Sequence, residues 1–162
     1  MTRITPMLWF DHQAEEAAQF YTSIFRNSKI TGLSRYGDAG PGPKGSVMVV
    51  SFELDGQPFT ALNGGPRFKF TEAVSFVVNC ADQREVDHFW ARLLEGGAPQ
   101  QCGWLKDRYG LSWQVVPAAV IEMLSDPDPV RSQSAMGAVM GMVKIDIAKV
   151  RHAYDQGRRS VT

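Results

Sequence analysis

Hydrophobic positions in the first part of the chain follow the period of a strand, then that of a helix, then again that of strands. Residues 4–10 form a short apolar run that predicts a strand, with Pro6 near its start, where a missing backbone donor is tolerated. Residues 13–26 repeat apolar side chains at helical spacing and predict a helix. Three further strands are predicted at residues 30–36, 47–54 and 58–63. Asp55-Gly56 between the last two is typical of a hairpin turn.

The second part of the chain repeats this order of elements. Residues 74–78 predict a strand and residues 82–95 a helix, which ends at the glycine pair Gly96-Gly97. Two more strands are predicted at 100–106 and 111–116, while the second strand of this half is short or missing. The pattern therefore predicts an α+β fold made of two βαβββ-type modules, residues 1–66 and 67–117, with the second module shortened.

A helical tail is predicted over residues 118–162, so that residues 1–162 form a single domain with three parts. Its helices are expected at 117–124, 130–143 and 146–156, with Asp126-Pro-Asp-Pro129 as a break. The predicted apolar side of the tail consists of Val130, Met136, Val139, Met140 and Val143. We expect this side to pack on the outer surface of the domain or on a partner subunit.

Composition narrows the class of protein. The 162 residues include 17 basic and 17 acidic side chains, which argues against a nucleic-acid partner, and Arg158-Arg159 is read as a solvated tail. No apolar run approaches the length of a membrane span, and the first residues do not resemble a signal peptide. The two cysteines, Cys80 and Cys102, are expected to be reduced and mostly buried. These features predict a soluble cytoplasmic protein without a membrane partner.

Three stretches carry a resemblance to a known family. They are Asn63-Gly-Gly-Pro-Arg-Phe-Lys-Phe70, Ser75-Phe-Val-Val-Asn-Cys80 and Gln101-Cys-Gly-Trp-Leu-Lys-Asp-Arg-Tyr-Gly-Leu-Ser-Trp-Gln-Val-Val-Pro117. They closely resemble the PhnB-like branch of the vicinal-oxygen-chelate superfamily, which includes glyoxalase I, bleomycin-resistance proteins and extradiol dioxygenases. Members of the branch are often labelled 3-demethylubiquinone-9 3-methyltransferase. The resemblance covers most of the chain, including Lys144-Ile-Asp-Ile147, and implies a glyoxalase/bleomycin-resistance-like fold and a homodimer.

The resemblance places a small-molecule pocket inside the curved sheets, and strand alternation proposes the side chains that face it. On the first strand Ile4, Leu8 and Phe10 should face the helix, while on the fourth Ala61 and Asn63 are candidates for the pocket. The predicted substrate-pocket residues are Thr5, Met7, Trp9, Asn63, Ser75, Cys102, Trp104 and Gln114.

The same resemblance implies positions for the superfamily's metal ligands, which are His, Glu or Gln. The matching positions here are Thr5, the stretch 61–63, Ala73 and Gln114, of which only Gln114 offers a suitable donor. A divalent ion needs three or four converging donors. The sequence therefore predicts no metal and no other cofactor, and it leaves the catalytic residues unknown.

Several functions remain open at this point. The first is a protein that binds or converts a small organic molecule without a metal; Lys106 or Arg108 would then orient an anionic substrate. The alternative is a non-catalytic sequestering protein of the resistance type, and a buried Glu53 or His12 beside the pocket would favour catalysis over it. A methyltransferase acting on a quinone precursor is the weakest reading, because the first strand-to-helix junction, residues 10–14, has no glycine for a Rossmann-type cofactor loop.

Overall fold

A computed structural model gives the fold and describes residues 2–157. Arg158 and Arg159, read above as a solvated tail, lie outside the described residues. The chain divides into two compact units, the first ending at Phe70 and the second beginning at Thr71. The boundary proposed from sequence followed residue 66.

The first unit contains one helix on a four-stranded sheet. Its elements are β1 (Met7–Phe10), α1 (Ala14–Thr22), β2 (Lys29–Arg35), β3 (Val47–Leu54) and β4 (Gln57–Asn63). The strands lie in the order β1-β4-β3-β2, with β1 parallel to β4 and the other neighbours antiparallel. The carboxyl ends of β1 and β4 therefore meet at one edge of the sheet, next to the start of α1.

Burial in this unit follows from the alternation of side chains along the strands. Tyr21 of α1 packs on Phe52, and Phe52 stacks on Phe59 with ring centroids 5.5 Å apart. Strand β1 begins only at Met7, after Pro6, which has no N–H to donate. Ile4 was expected to face the helix, but it lies outside the strand and is exposed.

The second unit repeats the arrangement with a much shorter edge strand. Its elements are β5 (Ser75–Cys80), α2 (Gln83–Leu94), β6 (Ala98–Pro99), β7 (Trp104–Lys106) and β8 (Ser112–Pro117). The strand order is β5-β8-β7-β6, with β5 parallel to β8. Asp82 caps α2, because its carboxylate accepts a hydrogen bond from the Glu85 amide at 2.9 Å.

The turn before β8 is closed by one buried carboxylate. Asp107 is buried and accepts hydrogen bonds from the amides of Tyr109 and Leu111 and from the indole N–H of Trp113, at 2.8, 3.0 and 2.9 Å. Gly110 supplies the positive φ that the turn requires. The sequence predicts strands on both sides of this stretch, at 100–106 and 111–116, and the structure has the turn between β7 and β8.

Three helices follow β8 within the second unit: α3 (Ala118–Leu124), α4 (Pro129–Met140) and α5 (Ile147–Gly157). They share a core whose fully buried members are Val120, Met123, Ala135, Val139, Ile145 and Val150. Helix α4 therefore buries the side that carries Ala135 and Val139. Of the apolar side predicted for this region, Val139 is buried in this core. Val130, Met136, Met140 and Val143 are exposed on the single chain, so the packing of this side on a partner subunit stays a prediction.

The observed elements confirm the α+β prediction of two βαβββ modules followed by a helical tail. The shortened strand of the second module is also confirmed, because β6 has 2 residues whereas β2 has 7. Within residues 2–157, no helix has the length and apolar character that crossing a membrane requires.

Candidate functional site

A cavity of about 560 Å³ opens at the edge of the first sheet where β1 and β4 end. One wall is the β1–α1 junction, the second is the glycine- and proline-rich segment 37–46, and the third is the chain just after β4. Its lining consists of Asp11, His12, Glu15, Tyr36, Pro41, Gly42, Pro43, Ser46, Val47, Asn63, Gly64 and Gly65. Of the predicted pocket residues, this cavity contains Asn63.

Asn63 joins the three walls of the cavity. Its side-chain oxygen accepts a hydrogen bond from the Ala14 amide at 2.8 Å, and its Nδ2 donates to the Val47 carbonyl at 3.1 Å. The hydroxyl of Tyr36 donates to the Asn63 carbonyl at 2.5 Å. Since these bonds link the start of α1, the start of β3 and the end of β4, the cavity is held open by the fold itself.

The segment 37–46 packs closely on the Tyr36 ring because it has glycines at the points of contact. A Cβ at Gly42 would lie 2.3 Å from a ring carbon of Tyr36, and one at Gly40 would lie 2.7 Å away. No side chain fits at such a distance. The glycines therefore determine the width of the cavity on this wall.

The charged groups of the cavity come from the β1–α1 junction. Asp11 and Glu15 place two carboxylates on this wall, and the His12 imidazole lies 3.6 Å from the Asp11 carboxylate. The His12 side chain is 77% exposed, so it lies at the mouth of the cavity rather than inside. No lysine or arginine is among the lining residues.

The other predicted residues of the first unit lie on a different surface. We call the sheet face opposite a unit's own α1 or α2 the far face. Met7 and Trp9 lie on the far face of the first sheet, as predicted, whereas Thr5 precedes β1 and is exposed. The Trp9 indole donates to the Gly65 carbonyl at 2.9 Å and packs edge-on against Phe68 at 4.9 Å.

Asn63 was predicted to face the same pocket as Trp9, and this prediction of its direction was wrong. In β4 the positions of Phe59, Ala61 and Asn63 alternate with those of Thr60 and Leu62. Phe59 and Ala61 are buried on the side that carries α1, and the Asn63 side chain reaches the Ala14 amide on that side. The prediction for Ala61 was wrong for the same reason.

The far face of the second sheet brings three predicted residues together. Ser75, Gln114 and Trp104 come from β5, β8 and β7, and Gln114 lies directly opposite Trp104 in the antiparallel pairing. Gln114 Nε2 donates to Ser75 Oγ at 3.0 Å, which fixes the amide plane. The Gln114 carbonyl oxygen forms no hydrogen bond within the part of the chain that the structure describes.

An ion pair lies on the same face, one row further along the strands. Lys106 is opposite Ser112, and its ammonium group contacts the Glu72 carboxylate. The hydrogen bond from Lys106 lowers the pKa of Glu72 below its ordinary value. Arg108 is directed elsewhere, because it donates to the Glu95 carbonyl at 3.1 Å at the end of α2.

Cys102 does not lie on this face, so the prediction that it shares the face of Trp104 was wrong. Its backbone is left-handed, with φ of 61°, and Gly103 follows with φ of 83°. The strand alternation is therefore broken before β7 begins. The Cys102 thiol lies 3.7 Å from the sulfur of Met140, and the side chain packs against the core of the C-terminal helices.

The residues at the superfamily's metal-ligand positions do not form a ligand set. Ala73 has no donor atom, Thr5 is exposed, and the Asn63 amide is occupied by two backbone groups. Gln114 has an amide oxygen available, which supplies one suitable donor where a divalent ion needs three or four. Among residues 2–157, no cluster of three His, Cys, Asp or Glu side chains is arranged to hold a metal ion.

The cysteines and the remaining histidines do not add a reactive group to either surface. Burial raises the pKa of the Cys80 thiol to about 12, so it remains protonated at neutral pH. His88 and His152 are both exposed, on α2 and α5. Sequence reasoning missed the cavity, although four glycines and two prolines between β2 and β3 marked the segment that encloses it.

Comparison with known proteins identifies the class to which this geometry belongs. The PhnB protein from Bacillus cereus is 39% identical, with a TM-score of 0.66 over 72% of this chain and 100% of that protein. A protein from Pseudomonas aeruginosa is 22% identical, with a TM-score of 0.61 over 72% and 98% of the two chains. A gene product from Arabidopsis thaliana is 19% identical, with a TM-score of 0.50 over 72% and 98%. The paired βαβββ modules are those of the vicinal-oxygen-chelate superfamily.

The sequence model of one family matches residues 2–116, and its description is 3-demethylubiquinone-9 3-methyltransferase. The chain belongs to this family, the PhnB-like branch of the superfamily. The match ends just before α3, so Lys144–Ile147, included above in the resemblance, lies outside it. Comparison with curated proteins gives no significant match.

Proposed function

We propose that this protein binds a small, neutral organic molecule on the far face of its second sheet and needs no metal ion to do so. The observation that carries the proposal is the hydrogen bond from Gln114 to Ser75 beside Trp104. It holds the amide in one orientation and directs its carbonyl oxygen to a ligand. Binding sites for small molecules combine such fixed polar groups with aromatic surface.

The chemistry of this face favours a molecule with a flat apolar part and one hydrogen-bond donor. Trp104 supplies an aromatic surface, the Gln114 oxygen accepts from the donor, and the Ser75 hydroxyl has a proton to donate. The charges of Lys106 and Glu72 compensate each other. A neutral ligand therefore loses less solvation on this face than an ion does.

The side chains on the far face of the second sheet support binding of a ligand without its chemical conversion. Glu72, the acid on this face, is occupied by Lys106, and the Cys80 thiol points to the α2 side of the sheet. The His12 that would have favoured catalysis is exposed, and it belongs to the first unit. We therefore propose a sequestering protein ahead of an enzyme.

Native mass spectrometry of the purified protein tests the proposal, because one spectrum reports metal, retained ligand and oligomeric state. We expect an organic adduct without a metal, and the homodimer that the resemblance implies. Gln114→Ala and Ser75→Ala should each weaken retention of the adduct by about tenfold, which corresponds to the loss of one or two hydrogen bonds. Gln133→Ala, on the exposed surface of α4, is the matched control and should retain it.

Two results would contradict the proposal. A stoichiometric metal lost in Gln114→Ala would show that Gln114 is a ligand after all. Equal retention by wild type, Gln114→Ala and Ser75→Ala would place the ligand elsewhere. Transfer of a methyl group from S-adenosylmethionine to the released adduct would instead support the methyltransferase activity in the family's description.

A further inference from the structure

We propose that the cavity at the edge of the first sheet is a second binding site, and that it takes an organic cation, a small amine with a compact apolar body. It shares no residue with the far face of the second sheet. Its volume of about 560 Å³ lies within the range of ligand pockets, roughly 300–1,000 Å³.

The first argument is the sign of the charge. Asp11 and Glu15 are the two carboxylates in the lining, which has no lysine or arginine; its basic side chain is the exposed His12 imidazole, 3.6 Å from Asp11. Lys44 of the enclosing segment pairs with Asp38 at 2.9 Å, and Arg35, at the end of β2, donates to the Gly45 carbonyl. An ammonium group bound to these carboxylates would form charge-assisted hydrogen bonds.

The second argument is the distribution of apolar surface. The apolar part of the lining consists of Pro41, Pro43 and Val47 with the side of Tyr36. A ligand that fits both the carboxylates and this apolar part has a charged group joined to a compact hydrocarbon or aromatic body. An anion or a large polar molecule would leave either the carboxylates or the prolines without a suitable partner.

The third argument is that the walls are already in place. The Asn63 side chain joins the start of α1 to the start of β3, and the Tyr36 hydroxyl bonds to the Asn63 backbone. A ligand therefore binds without ordering the surrounding chain, and preformed sites lose less free energy on binding.

Isothermal titration calorimetry with three probes of one shape tests the charge preference. Phenethylamine carries a positive charge, 2-phenylethanol is neutral and phenylacetate is negative. We expect the amine to bind at least about tenfold more tightly than the alcohol, and phenylacetate not to bind at all. Chemical-shift changes in the NMR spectrum should concentrate at the Asp11 and Val47 amides.

The double variant Asp11→Asn, Glu15→Gln should reduce the affinity for the amine to that for the alcohol. Glu16→Gln is the matched control, because it changes the charge by one unit at the next position of α1, outside the lining, and should leave the affinity unchanged. Gly42→Ala should weaken the amine and the alcohol equally, because its Cβ would meet the Tyr36 ring at 2.3 Å and displace the cavity wall.

Three results would overturn the proposal: no binding of phenethylamine at millimolar concentration, equal binding of amine and alcohol, or unchanged binding in the double variant. Ser75→Ala and Gln114→Ala should not affect the amine. The two proposed sites can therefore be confirmed or rejected independently of each other.

Discussion

The two units have the same order of strands and helix, yet they complete their sheets in different ways. In the first unit the edge strand β2 has 7 residues and pairs along most of β3. In the second unit β6 has 2 residues, and the amides of Cys102 and Gly103 donate instead to the carbonyls of Met142 and Val143, both at 2.8 Å. The segment before α5 thus supplies hydrogen-bond acceptors that a longer edge strand would otherwise provide.

The two modules therefore use the connection between their second and third strands in different ways. In the first unit the long connection between β2 and β3 encloses a cavity. The second unit has a short connection between β6 and β7, and the C-terminal helices are anchored there. Gln83 of α2 adds to this anchor, since its side chain bonds to the Ile145 carbonyl and the Ile147 amide.

The largest expected effect concerns the turns that close the final hairpin of each unit. Asp107→Ala should destabilise the protein by about 3 kcal/mol, because two amides and the Trp113 indole N–H each lose their acceptor. The corresponding change in the first unit, Asp55→Ala, should cost only about 1 kcal/mol, mainly for alanine at a φ of 49°. Urea denaturation measures both; equal losses would show that the two turns contribute alike.

The next effect concerns the anchor of the helical tail. Gly103→Ala should cost about 2 kcal/mol, because a Cβ there would lie 2.9 Å from Ile145 and the backbone has a φ of 83°. Hydrogen exchange over residues 140–147 should also become faster. Gly137→Ala, where nothing lies within 4 Å, is the control and should stabilise α4 by about 0.5–1 kcal/mol. Unchanged exchange in Gly103→Ala would contradict the anchor.

The smallest effect is a pH dependence of stability that Asp126 of the second unit contributes. A hydrogen bond from the Tyr154 hydroxyl, with the Asp128 amide and Arg131, lowers the pKa of Asp126 in the folded protein. The stabilisation is therefore complete above the ordinary pKa of an aspartate and is lost as the pH falls through the lower folded value. Melting temperatures should show the difference between Asp126→Asn and wild type shrinking as the pH becomes acidic; a difference that stays constant with pH would contradict this.

Much of the sheet architecture could be predicted from the sequence because alternation and turn residues are local signals. Strand β3 was predicted at its observed bounds, and Asp55-Gly56 indeed joins it to β4. The same alternation predicted that the side chains of Ser75 and Gln114 lie on the face of the sheet away from α2. These predictions depend on residues within one strand and its turn, which the sequence displays directly.

The remaining predictions failed where the decisive contact is distant in sequence or the backbone is unusual. Nothing in the identity of Cys102 indicates a left-handed backbone, since that conformation is typical of glycine and asparagine. The direction of Asn63 depends on the Ala14 amide, 49 residues earlier.

The bonds made by Asn63 have a consequence for engineering the first unit. They fasten α1, β3 and β4 to one another without using any group between Gly37 and Pro43. The intervening stretch can therefore be exchanged for peptides of other lengths and compositions while the scaffold beneath it keeps its shape. A library grafted between Tyr36 and Lys44 would sample new ligand specificities while α1, β3 and β4 stay unchanged.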